Sequence, residues 1–303
     1  MSDRILDFAD EPARLSMRLE QLVIERPDKP EVTVPFADIA VLIISHRQVS
    51  LTQSVLATLA VKGGTLVVGD ERHLPVGLYL PLVGHTTQAE RFAAQASASL
   101  PTQKRLWQDV VQSKIRAQGR VLAMVHGSDA GLGELARLVR SGDPDNVEGR
   151  AAQRYWPELF KSRFFRRDPE AEDQNRFLNY GYAIARAIVA RAICGSGLHP
   201  SLGIHHHNRY DAHCLADDLM EPFRPLVDYA VVQLLKKVEA ETPMNKEVKA
   251  HVIGYLLGRF QDAPTGESRS LFDWSTRMTA SVADVFLGKR EDAMVPELVP
   301  PGA

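Results

Sequence analysis

Leu82-Val83-Gly84-His85-Thr86-Thr87-Gln88 divides the chain into two textures. Upstream, apolar residues alternate or run in short β-branched blocks, the signature of strands. Downstream they recur at three- and four-residue spacing, the period of helices with one buried face. Residues 14–20 alternate, with Leu15, Met17 and Leu19 on one face. Residues 22–25, 31–36, 39–45, 65–68 and 76–82 read as further strands. The run Ile39-Ala40-Val41-Leu42-Ile43-Ile44 is apolar throughout, which predicts a strand covered on both faces. Ser50-Leu51-Thr52-Gln53 has capping-box spacing and leads a helix to Ala60, which Gly63-Gly64 stops.

Beyond the divide, the spacing predicts helices at 88–99, 102–118, 131–141, 146–158, 171–196, 226–241, 245–260 and 269–288. Residues 175–192 carry Ala, Ile, Leu and Tyr on most faces, as a buried central helix does. The last stretch, 291–303, has three prolines and no period, and is expected to be disordered. The fold class is therefore α+β: a small N-terminal β-rich domain over 1–84, then a larger all-α C-terminal domain over 85–290. Strands followed by helices, with no Gly-rich phosphate loop, argue against a doubly wound nucleotide-binding sheet.

With 303 residues, the chain can bury one large core or two ordinary ones. Its formal net charge of −2 means that any surface for a polyanion must be local. The only cysteines, Cys194 and Cys214, suggest no disulfide framework. Met1-Ser2-Asp3-Arg4 does not open a signal peptide, and the longest apolar strand-like run is too short for a bilayer. A soluble cytoplasmic protein is expected.

Of ten histidines, five lie between His199 and His213, and His205, His206 and His207 are consecutive. Consecutive residues cannot all face one point, so one of the three is the candidate ligand. Asp217, Asp218 and Glu221 follow at spacings that allow one helical face. Asp218-Leu219-Met220-Glu221 equally fits a capping box with Asp218 as N-cap. Glu148, near small residues Gly149, Ala151 and Ala152, is the candidate third arm; the plain alternative is a surface glutamate favouring a helix dipole. Between Arg150 and Arg167 six Lys or Arg residues face one acid, Glu158, with Tyr155, Trp156, Phe160, Phe164 and Phe165 interleaved. That composition suits a nucleic-acid backbone, although most of the aromatics should be core.

Gly197-Leu198-His199-Pro200-Ser201-Leu202-Gly203-Ile204-His205-His206-His207, followed by Asp217-Asp218-Leu219-Met220-Glu221-Pro222-Phe223-Arg224-Pro225, resembles the signature of the CRISPR adaptation integrase family. The likeness is strongest to the type II variety, of the II-C branch. The segment from Asn146 to Trp156 is similar to that family's first metal-ligand region, and Leu178-Asn179-Tyr180-Gly181-Tyr182-Ala183 to its central helix. His73-Leu74-Pro75-Val76-Gly77 through Leu82 is similar to the end of its β domain. The resemblance spans nearly the whole chain. It implies an endonuclease and integrase that joins the 3′-hydroxyl ends of foreign DNA fragments into CRISPR repeat DNA. It further implies a metal site of Glu148, His206 and Glu221 with Asp218 in support, loaded with Mg²⁺ or Mn²⁺. Partners implied are double-stranded DNA with 3′ ends, a second copy of the chain paired through the β domain, and a small CRISPR adaptation protein. Arg163, Arg166, Arg167 and Arg224 become candidate phosphate contacts. Tyr180 is a further candidate DNA contact, against the plainer reading of a buried tyrosine hydrogen-bonded in the core. Two other readings stand beside it: a zinc-dependent hydrolase using Cys194, Cys214, His199, His205–His207 or His213, and a non-catalytic DNA-binding scaffold whose acids are only caps.

Overall fold

The computed structural model describes residues 3–70 and 75–301. His73 and Leu74 of the quoted β-domain stretch lie outside them. The first part of the chain forms strands β1 (Arg4–Phe8), β2 (Ala13–Arg18), β3 (Gln21–Glu25), β4 (Val32–Pro35), β5 (Ile39–Ile44), β6 (Val49–Leu51), β7 (Thr65–Gly69) and β8 (Pro75–Tyr79), with helix α1 (Gln53–Val61) ahead of β7. They make two sheets, ordered β4-β3-β2-β6 and β1-β5-β7-β8. The alternating segment β2 pairs antiparallel with β3, and β3 with β4. The apolar segments pair parallel, β1 with β5 and β5 with β7. Parallel strands bury both faces, and β5 explains its run of apolar residues this way. Val41 and Ile43 belong to the core shared with the helices, whereas Ile39 and Leu42 belong to the smaller core of the β region. Ser50 lies in β6 and caps nothing; Thr52 precedes α1 without a side-chain cap.

After the divide come α2 (Gln88–Ala96), α3 (Leu100–His126), α4 (Leu132–Arg137), α5 (Val147–Leu159), α6 (Asn175–Gly195), α7 (Cys214–Met220), α8 (Arg224–Leu234), α9 (Lys246–Leu256) and α10 (Leu271–Phe286). Helix α6 is the central one. Phe177, Leu178, Ile188, Val189 and Ile193 are at most 1% exposed, each contributing about 1.5–3 kcal/mol by burial. It packs on α7, α8, α9 and α10 and on strands β5, β7 and β8. Among the described residues no helix is long and apolar enough to cross a membrane.

Two expectations for the C-terminal part need correction. It is not all-α: β9 (Arg259–Asp262), β10 (Ser268–Ser270) and β11 (Leu298–Val299) form a three-stranded antiparallel sheet. The described part of the tail is not structureless either. Leu298 is fully buried, Glu297 pairs with Arg116 and Arg120 of α3, and Ser113 Oγ donates to the Pro296 carbonyl at 2.6 Å. Proline removes donors from a segment but not acceptors, so an aperiodic stretch can still dock on a helix.

Candidate metal centre

Four elements converge on one buried cluster of charges. Helix α5 begins at Asn146, whose side chain accepts from Gly149 N at 3.1 Å, while Asp143 takes the amides of Val147 and Glu148 at 2.9 Å. The helix start is thus capped by neighbours, and the Glu148 carboxylate is left for another partner. Gly149 makes room for this cap, since a Cβ there would lie 2.6 Å from Asn146 Oδ1. Glu221 opens a 3-10 turn, Glu221–Phe223, between α7 and α8 and is 5% exposed.

Lys114 of α3 joins the two carboxylates. Its Nζ donates to Glu148 Oε1 at 2.5 Å and lies 2.5 Å from Glu221 Oε2. Arg224 Nε stands 2.8 Å from Glu221 Oε1. Both contacts of Glu221 are close ion pairs, one to each carboxylate oxygen. Burial works against the charge of Glu221, but Arg224 and Lys114 outweigh it and hold the carboxyl below its ordinary range. Burial likewise opposes the charge of Lys114, and Glu221 and Glu148 overcome it, keeping the ammonium above the usual lysine range.

The histidine run is shaped by Asp218. Fully buried in α7, its carboxylate accepts from the amides of Ile204 (2.7 Å), His205 (3.0 Å) and His206 (3.2 Å), and from His206 Nδ1 at 2.5 Å. This replaces the expected capping role: α7 starts four residues before Asp218, so its amide is already inside the helix. The turn requires Gly203, where a Cβ would sit 2.3 Å from the His206 carbonyl oxygen. The Asp218 hydrogen bond raises His206, against its partial burial, and leaves Nε2 as the ring atom turned away from Asp218. His205 stacks on Trp107 of α3 at 4.1 Å and 2°, and burial together with the charge of His206 lowers it. Trp107 and Lys114 are seven residues apart, two turns of one helix face. The charges of Glu221 and Glu148 reach His206.

The donor chemistry of Glu148, Glu221 and His206, two carboxylates and an imidazole, fits a hard divalent cation. The three do not converge on a point, and among the described residues no three His, Cys, Asp or Glu side chains do. The position between the carboxylates is taken by the Lys114 ammonium. For a zinc site, Cys214 Sγ instead donates to the carbonyls of Asp211 (3.3 Å) and Asn208 (3.7 Å), while Cys194 is buried in α6.

A family model described as CRISPR associated protein Cas1 matches residues 8–255. The chain belongs to the Cas1 family. A CRISPR-associated endonuclease Cas1 of Neisseria meningitidis serogroup C is 39% identical over 243 residues, covering 79% of each chain. Among solved structures, a casposase bound to integration product superposes with TM-score 0.79 at 20% identity, over 97% of this chain and 92% of that one. A chain of a Cas6-RT-Cas1–Cas2 complex superposes with TM-score 0.75 at 16% identity, over 98% of this chain and 36% of that one. These likenesses show the shared fold. The Cas1 match contains Lys114, Glu148, His206 and Glu221 and ends before β9.

The candidate DNA contacts of this Cas1 chain separate into two groups. Arg163 and Arg166 are exposed, as is Phe164 at 93%. The other aromatics of that strip, Tyr155, Trp156, Phe160 and Phe165, pack against one another, as amphipathic spacing requires. Arg167 is held by Asn175 and Asn179 and stacks over Tyr182 at 5.2 Å; with Arg186 and Arg224 it lines a cavity of about 350 Å³. Tyr180 is a correction: it is 4% exposed, and its hydroxyl donates to Asp7 Oδ2 at 2.5 Å, tying α6 to β1. Three residues of the site escaped sequence reading. Lys114 and Trp107 stand in the apolar stripe of α3 beside Leu106, Val110, Val111 and Ile115, and Asp228 in that of α8. For Lys114 and Asp228 the available signal was a charged side chain on a buried stripe; Trp107, an aromatic on an apolar face, gave none.

Proposed function

We propose that this Cas1 chain is a metal-dependent integrase and endonuclease of CRISPR adaptation, of the type II-C kind, acting on double-stranded DNA with free 3′ ends. The observation that carries the reading is the meeting of Glu148 and Glu221, from two distant segments, around one buried cation position beside His206. Family membership and 39% identity to an endonuclease relative support it. Glu148, Glu221 and His206 Nε2 would hold Mg²⁺ or Mn²⁺. When bound, the ion supplies Lewis-acid polarisation of the scissile phosphate and stabilises the leaving oxygen. Asp218 keeps the Nδ1 proton of His206, so that Nε2 presents its lone pair. Arg224 offsets the charge of Glu221 and, with Arg167 and Arg186, lines a cavity able to receive phosphate. The nucleophile is the 3′-hydroxyl of the incoming DNA. It bonds to phosphorus as the target strand's P–O3′ bond breaks, and that strand leaves with a 3′-hydroxyl. Water in place of the hydroxyl gives endonuclease cleavage.

Exposed Arg163, Arg166 and Phe164 would lie along the DNA path. The chain would work in the cytoplasm as a homodimer paired through its β region, together with a small CRISPR adaptation protein. A structural neighbour is part of a complex named with Cas2. The test is strand transfer of a short duplex with free 3′-hydroxyls into a supercoiled plasmid carrying a CRISPR repeat. Metal-dependent joining is expected; DNA binding without joining, at any metal, would leave only a scaffold.

A further inference from the structure

We propose that the Lys114 ammonium is a tethered placeholder cation: it occupies the position of the divalent ion between Glu148 and Glu221, must leave when that ion binds, and thereby weakens metal binding to the DNA-free protein. The inference rests on the metal reading of the site and adds a competitor within the chain itself.

Geometry carries the argument. Lys114 Nζ is 2.5 Å from Glu148 Oε1 and 2.5 Å from Glu221 Oε2, the two candidate ligands contributed by separate elements. A divalent ion bridging the same oxygens at the ~2.0–2.1 Å bonds of Mg²⁺ would stand against the ammonium, and two cations cannot share that point. The site is balanced as it stands, with Glu148 and Glu221 against Lys114 and Arg224. An added ion therefore brings surplus positive charge unless an anion enters with it or the ammonium moves off. Lys114 carries its ammonium on a flexible four-carbon stem, and its side chain keeps 12% exposure, so it is the cation of the pair that can swing aside. Arg224 is pinned over the Tyr182 ring at 4.7 Å and is the cation that stays. An ammonium on the apolar stripe of α3 also keeps buried Glu221 and half-buried Glu148 compensated before any ion arrives. A DNA phosphate entering with the ion would offset the same surplus charge, so that metal and DNA would each favour the other's binding.

The test is Mn²⁺ binding to the full-length, DNA-free protein, followed by electron paramagnetic resonance of the free ion, in the wild type, Lys114→Met, Lys114→Arg and Glu148→Gln. Lys114→Met is expected to bind Mn²⁺ more tightly by roughly tenfold, within the ~5–150-fold range of ordinary site coupling, and Lys114→Arg to stay near the wild type. Equal or weaker binding by folded Lys114→Met overturns the proposal while saturable wild-type binding, lost in Glu148→Gln, upholds the metal reading. Absence of saturable binding in every protein overturns both. A second measurement needs no destabilised variant. In ¹⁵N-lysine-labelled wild type, the Lys114 ammonium resonance, assigned by its absence in Lys114→Arg, is expected to lose its protection from water exchange as Mg²⁺ is added. A protected resonance at saturating Mg²⁺ overturns the proposal.

Discussion

Glu221 and Asp228 are two buried carboxylates seven residues apart, and their surroundings drive them in opposite directions. Glu221 meets cations, Lys114 and Arg224, and is held below the ordinary glutamate range despite its burial. Asp228, 1% exposed, meets phenols instead: the hydroxyls of Tyr155 (2.9 Å) and Tyr182 donate to its two oxygens. Burial pushes Asp228 up to about 6, and the phenol hydrogen bonds only partly restrain it. The difference teaches which buried acid can serve chemistry. A carboxylate already paired with cations is ionised and ready to exchange one cation for another. A carboxylate capped by two hydroxyls has its lone pairs committed and works as a structural joint. Tyr182 connects the two, since its ring lies under Arg224 while its hydroxyl holds Asp228.

The largest effect that can break this comparison is on strand transfer. Glu221→Gln, Glu148→Ala and His206→Ala should each lower it by on the order of 10²–10³-fold or more, with cooperative unfolding retained. Asp228→Asn should leave it within a few-fold; a folded Asp228→Asn protein as inactive as Glu221→Gln would end the distinction. Chelation should act like loss of Glu221: EDTA abolishes joining and Mn²⁺ or Mg²⁺ restores it, and full activity in chelator would remove the metal from the reaction.

Stability against pH should separate the two acids by sign. The folded-state value of Asp228, about 6, is above the ordinary 3.8, so the folded protein holds a proton that the unfolded chain releases. Its contribution therefore falls as pH rises across that window, and the stability of the wild type relative to Asp228→Asn should drop by up to ~3 kcal/mol. Glu221 is displaced downward from 4.5, so its contribution is present above that value and is lost as pH falls through the folded-state value. Denaturant melts of both variants at several pH values would show opposite slopes, and parallel slopes would contradict the assignment. The smallest effect concerns the link between the sites. Tyr182→Phe removes one donor from buried Asp228 and should cost about 1–3 kcal/mol, read from chemical denaturation, while strand transfer changes little.

Much of this was legible in the sequence because it is local. Alternation marked β2, β-branched content marked β3 and β4, an unbroken apolar run marked β5 as covered on both faces, and helical period marked the central α6. The strands at Arg4–Phe8 and Val49–Leu51 were not legible, being too short for a period to emerge. Nor was α7, whose start carries no side-chain cap and whose acids imitated one at Asp218.

The sequence by itself determined the α+β class and the change from strands to helices, since each depends on spacings of a few residues; the segments that carry Glu148, the histidine run and Glu221 were joined into one candidate site by the family resemblance. Only the tertiary structure decided what those residues face. Lys114 meets Glu148 and Glu221 across 34 and 107 positions of chain, and Tyr180 reaches Asp7 across 173. No local period reports such pairings, because a helix face records that a side chain is buried and not which charge waits on the other side. The placement of a lysine between two acids, and of phenols around a third, is set by how α3, α5, α6 and α8 pack. That packing turned the metal cluster suggested by the sequence into a site already holding a cation of its own.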